Sequence, residues 1–199
     1  MFPPIPNIPT AFQAQCIRLL YPCLLNFNGI IISDMDIIPL NNDFFSKTIE
    51  TLHQQNTFCI YRNVISEYKQ YPMCYCAGSS DVWKKIFKIN IMNDLIQTLT
   101  SWYSKDDYEI SSASSEMWAQ DQLQLFKSIT DIENDDDINV VKFTDEQTHF
   151  TRLDRSQIEF ITNNVIEIKS QINEGKYSDF HLPRPFTVYK DLLELLLLK

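Results

Sequence analysis

The stretch that most constrains the fold is Gly29-Ile30-Ile31-Ile32-Ser33, a short, continuous, β-branched apolar run with a turn on each side. Such a run reads as a strand buried on both faces. Strands of that kind lie in parallel sheets covered by helices. Other segments fit the same frame. Residues 57–61 and 138–143 read as further strands, and 73–77 as a shorter extended piece closed by Gly78. Thr10 caps a helix that runs to Tyr21, where Pro22 stops it. Asp43 caps a helix over 44–55, and Ser79 or Ser80 caps one over 81–87. Further helices are expected over 92–102, 116–129 and 156–172, and at the C-terminus after a loop over 175–185. Residues 131–137 form an acidic loop, and Pro39 ends any ladder that follows the Ile run. Strands alternating with helices predict an α/β layered domain with a mixed, mostly parallel sheet. No interior linker divides it, so residues 1–199 are expected to form a single domain.

Composition narrows the class. The 199 residues include 44% hydrophobic and 13% aromatic side chains, values of a folded chain. Three glycines and the absence of an internal repeat argue against a solenoid or a Gly-rich phosphate loop. A net charge of -9 argues against non-specific binding to nucleic acid or anionic lipid. An anionic ligand would need a bound cation or a local basic cluster. The five cysteines are Cys16, Cys23, Cys59, Cys74 and Cys76, with no Cys-x-x-Cys pair, which predicts buried reduced thiols rather than a disulfide frame or zinc knuckle. Neither a signal peptide nor a membrane span is read, so a cytoplasmic protein is expected.

Chemistry is concentrated after the Ile run, at Asp34-Met35-Asp36. In an extended segment residues two apart point the same way, so both carboxylates face one point and Met35 faces away. Open α/β sheets place ligands at strand ends of this kind. Two converging carboxylates repel unless a cation lies between them, and a hard divalent ion is the natural filler. His181, in Asp179-Phe180-His181-Leu182-Pro183-Arg184-Pro185, offers an imidazole to the same metal, a mixed set that favours Mn²⁺ over Mg²⁺. Arg184 offers a fork for phosphate oxygens. Its bland alternative is an ion pair with Asp179 that closes the loop. Trp118, Asp121 and Gln122 offer a stacking ring, an acceptor and an amide for sugar hydroxyls, or else an ordinary helix surface. Arg18 shares a helix face with Gln15 and either reaches toward a diphosphate or is solvated. The backbone at Gly78 either approaches a ligand closely or makes a tight strand-to-helix turn.

Together these pieces resemble a nucleotide-sugar glycosyltransferase of the GT-A fold. The segment from Ile30 to Leu40 is similar to the strand, D-x-D and following turn of that superfamily. The helix ending Arg18-Leu19-Leu20-Tyr21-Pro22 resembles the one before it. The Ala77-Gly78-Ser79 turn, the Asp121-Gln122 pair and the His181 loop resemble later elements in the same order, over about residues 10 to 190. The nearest groups are the glycogenin-like enzymes and the viral sugar transferases that decorate large-virus capsids. The resemblance implies a Rossmann-like domain holding Mn²⁺ (or Mg²⁺) through Asp34, Asp36 and His181. It implies a UDP- or GDP-type sugar donor contacted by Arg18, Ser33, Gly78 and Arg184. A glycan or protein hydroxyl would be the acceptor, with Asp121 and Gln122 as the catalytic pair. Members of the fold begin with a βαβ half that binds base and ribose, and here the aspartates arrive too early for it. The expectation is therefore an N-terminally incomplete domain: a fragment, a chain completed by a partner, or a pared-down fold. Two other functions compete. One is a metal-dependent phosphotransferase or hydrolase, although the residues after Asp36 lack the haloacid-dehalogenase pattern. The other is a catalytically incomplete transferase remnant that acts as a binding or structural module.

Overall fold

The computed structural model describes residues 2–50, 56–103, 119–133 and 136–197. In chain order these form α1 (Thr10–Leu20), β1 (Ile30–Ile32), β2 (Ile37–Pro39), α2 (Asn42–Glu50), β3 (Thr57–Ile60) and β4 (Cys76–Gly78). Next come α3 (Ser80–Phe87), α4 (Met92–Trp102), α5 (Gln120–Ile132), β5 (Asn139–Lys142) and the single turn α6 (Asp145–Thr148). The chain closes with β6 (Arg152–Leu153), α7 (Ile158–Asn163), α8 (Val165–Asn173), β7 (Asp179–His181) and α9 (Lys190–Leu197). Among the described residues, no helix is long and apolar enough to cross a membrane.

These elements group into two compact units, Met1–Ser33 with Gln54–Phe143, and Asp34–His53 with Thr144–Lys199. The units interleave in sequence, so no single linker marks them. The chain passes from the first to the second between Ser33 and Asp34, inside the segment expected to act as one motif.

In the first unit, β1, β4, β3 and β5 form a four-stranded sheet in that order. β1 and β3 both pair antiparallel with β4, and only β3 with β5 is parallel. The expected mostly parallel sheet is thus corrected: the class is α/β, but two of the three pairings are antiparallel. The Ile run is corrected as well. β1 lies at the sheet edge, and Ile31 is 41% exposed. The strand buried on both faces is β3, all four residues of which are buried. Phe58 and Ile60 enter an apolar cluster with Phe12, Leu19, Trp83, Leu95, Leu125 and others from α1, α3, α4 and α5. The amphipathic spacing of those helices accounts for their packing. α3 begins as expected, with Ser79 Oγ accepting from Val82 N at 3.3 Å. Pro22 lies within a 3₁₀ turn, Tyr21–Leu24, that continues α1. All five cysteines are buried free thiols, and burial pushes Cys23 and Cys59 up to about 12.

In the second unit, β7 is the middle strand of a three-stranded sheet ordered β2-β7-β6. It falls in a stretch expected to be loop, because three residues beside Pro183 and Pro185 give almost no periodicity to read. The expected long helix over 156–172 is also broken. A 3₁₀ turn, Arg155–Gln157, leads into α7, and Asn164 (φ -126°, ψ 32°) separates α7 from α8. Leu153, Ile161, Ile168, Phe180, Leu193 and Leu196 make this unit's own core. α2 is capped by Asn41 rather than Asp43: Asn41 Oδ1 accepts from the N–H groups of Asp43 and Phe44, at 2.9 and 3.4 Å.

Candidate functional site

The strand register of the second unit brings three sequence-distant segments together. Ile37 of β2 is paired with His181 of β7, so Asp36, one residue earlier, lies beside the His181 ring. Leu153 of β6 is paired with Phe180, so Asp154, one residue later, flanks His181 from the other side. Strand alternation turns Leu153 and Phe180 into the core and leaves Arg152, Asp154, Asp179 and His181 off it. Arg152 and Asp179 then form a bidentate pair at 2.8 and 2.5 Å, with Asp179 fully buried. The alternative pairing of Asp179 with Arg184 is not made.

Arg184 instead joins Asp36. Asp36 Oδ2 accepts from Arg184 Nη2 and from Arg155 Nη1 at 3.1 Å, and His181 Nε2 lies 3.3 Å from the same oxygen. Partial burial works to raise the Asp36 pKa, but Arg184 and His181 outweigh it and the carboxyl sits below its usual range. The other ring nitrogen, Nδ1, lies 3.0 Å from Asp154 Oδ2. Asp154 is the N-cap of the Arg155–Gln157 turn: its Oδ1 accepts from Ser156 N at 2.9 Å, and its own N–H donates to Gln157 Oε1 at 3.2 Å. Burial raises the Asp154 pKa, yet the Ser156 and His181 hydrogen bonds prevail and leave it at about 2.

Asp34 and Asp36 do not share an extended strand. Asp34 O accepts from Ile37 N at 3.4 Å, closing a turn with Met35 and Asp36 at its centre. The segment is therefore a turn rather than the extended stretch that period-two spacing requires, and Met35 is fully exposed. Among the described residues, no group of three or more His, Cys, Asp or Glu side chains is arranged to hold a metal ion. Two members of the expected set, Asp36 and His181, do meet. They present an oxygen and a nitrogen 3.3 Å apart, a donor pair suited to a borderline divalent ion.

The remaining candidates lie in the first unit. Arg18 and Gln15 do share a helix face, and both turn inward to Asp121. Arg18 Nε donates to Asp121 Oδ2 at 3.0 Å, with Nη2 on the same oxygen, and Gln15 Nε2 donates to Oδ1 at 3.3 Å. Oδ1 also accepts from Gln122 N at 2.9 Å, and Asp121 is 0% exposed. This carboxylate pins α5 to α1 and presents no acceptor at the surface. Arg18, expected to reach a diphosphate, is held in the same pair. The Gln122 carbonyl accepts from Tyr71 N at 3.4 Å. Gly78 packs closely: a Cβ there would stand 3.2 Å from Phe58 Cδ2, so that ring would have to give by a few tenths of an ångström. Ser33 follows β1 and is half-buried. His149 occupies a left-handed position after α6 (φ 53°). Trp118 and His53 lie outside the described residues.

Two residues of the cluster, Asp154 and Arg155, were not singled out by their sequence. Asp154-Arg155-Ser156-Gln157 carries a helix-start signature that could have marked Asp154 as a cap. Nothing local could show which histidine that cap would meet. No protein-family model, curated protein or solved structure matches this chain.

Proposed function

We propose that the Asp36–His181–Arg184 cluster is the metal and diphosphate centre of a glycosyltransferase. Such an enzyme would move a sugar from a UDP- or GDP-type donor to a glycan or protein hydroxyl. The observation that carries this reading is the meeting of one imidazole and two guanidinium groups on a single carboxylate oxygen, from segments over a hundred residues apart. Asp36 and His181 would hold Mn²⁺, with Asp34, across the turn, as the third candidate ligand. The ion supplies charge neutralisation to a departing diphosphate. Arg184 and Arg155 are partly exposed and matched to phosphate as forks. Engaging a ligand, they exchange the Asp36 carboxylate for phosphate oxygens and free Asp36 for the cation. His181 sits at the end of a paired strand, so its ring is held at that position without a ligand.

Titration of the chain with Mn²⁺ in the presence of UDP or GDP tests the reading. Asp36→Asn is expected to weaken metal-dependent nucleotide binding at least tenfold. Equal binding by wild type and variant, or none by wild type, would sink it. A second reading, a non-catalytic binding module descended from such an enzyme, is favoured by one observation. Asp121, the residue expected to address sugar hydroxyls, is buried and fully engaged. Nucleotide binding without release of sugar from any donor tried would favour that module.

A further inference from the structure

His181 is the one ring in the described structure that stands between two carboxylates. A neutral imidazole carries a single N–H, so the two acids compete for it and the nitrogen without it keeps a lone pair. Asp36 Oδ2 already accepts from Arg155 and Arg184, which spends much of its capacity to attract a further donor. Asp154 accepts from no guanidinium among the described residues. Its Oδ1 is taken by the Ser156 backbone, and its Oδ2 faces Nδ1 at 3.0 Å, against 3.3 Å between Nε2 and Asp36. The shorter contact and the less neutralised acid are on the same side.

We propose that Asp154 is a positioning residue that fixes His181 as the Nδ1–H tautomer, leaving Nε2 as the electron-pair donor aimed at the Asp36 side. A histidine that ligates metal through one nitrogen is oriented in this way by an acid on the other. The tautomer assignment stands on geometry alone. Its consequence for metal rests on the function proposed above.

The two fail separately in one experiment. Asn at 154 would keep its carbonyl oxygen on the Ser156 N–H, so its amide N–H would face Nδ1 and force the proton to Nε2. Long-range ¹H–¹⁵N spectra at about pH 9, where imidazole is neutral, read the tautomer directly, and the chain has only three histidines to assign. Wild type is expected to show the Nδ1–H form and Asp154→Asn the Nε2–H form. Asp154→Ser keeps a cap oxygen but is too short to reach the ring, and is expected to give a mixture. An Nε2–H wild type, or an Asp154→Asn variant with the wild-type tautomer, overturns the proposal. Mn²⁺ alone is then titrated into the same samples, with roughly 10–100-fold weaker binding expected for Asp154→Asn. A flipped tautomer with unchanged Mn²⁺ affinity overturns the link to metal. A correct tautomer in a wild type that binds no Mn²⁺ supports Asp154 as positioner and removes the metal reading instead.

Discussion

Charge at the scale of single residues is arranged in two ways. Asp121 and Asp179 are completely buried, and each is held by one arginine in a two-toothed grip. Asp36 and Asp154 are only partly buried and share a histidine. Buried pairs of the first sort add little net stability, because desolvation offsets most of the attraction, but breaking one strands a charge. Arg18→Ala should therefore cost about 3–5 kcal/mol, measured from urea unfolding. Arg18→Ala with Asp121→Ala should recover part of that loss. If the single variant costs no more than an exposed arginine would, Asp121 is not the buried carboxylate described.

Elements are positioned by a few side chains that satisfy backbone groups. Asn41 works at both ends of its amide. Oδ1 caps α2, and Nδ2 donates to the Gly175 carbonyl at 2.8 Å. Gly175 has a positive φ of 75°, a position glycine occupies without strain. It ends the excursion of α8 and returns the chain to β7, while Leu40 N and Asn41 N both donate to Ser178 O. Asn41→Ala should cost about 1 kcal/mol for the cap, with more from the lost Gly175 contact. Asp43→Ala should cost a few tenths of a kcal/mol, as for a first-turn acid rather than a cap. Thermal melts of the two variants decide between the residues, and a larger loss for Asp43→Ala would reverse the assignment.

Acid dependence belongs to the molecule as a whole, which carries 26 acidic against 17 basic side chains. Asp36 and Asp154 both have folded pKa values below the ordinary 3.8, and Asp154 reaches about 2. A carboxyl depressed in the folded state binds protons more readily when unfolded, so its stabilisation is complete above the unfolded value and lost below it. Urea midpoints should thus be flat down to about pH 5, then fall as pH drops through 3.8 toward 2. Asp154→Asn should flatten that fall. A variant whose midpoint drops as steeply as wild type would show that Asp154 is not among the acids responsible. The effect is modest, since both groups keep contact with solvent and surface pairs are screened.

Local signals in the chain were sufficient for α3, α4, the Thr57–Ile60 strand, the buried thiols and the α/β class, because caps, periodicity and β-branched runs act within a few residues. They also singled out Asp36, His181 and Arg184 as candidates, though not Asp154 and Arg155, which join them. The same signals misplaced the Ile run. Three isoleucines look alike in a central strand and at an edge, and only pairing decides which one they enter. They missed β7, whose three residues become a strand by lying between β2 and β6. They placed Asp34 and Asp36 in an extended segment, when a bond from Ile37 N to Asp34 O folds it into a turn. The rest of the charged cluster was out of reach for the same reason: Asp154 and Arg155 join Asp36 and His181 through strand register, and register is a property of the folded sheet rather than of any one of its segments.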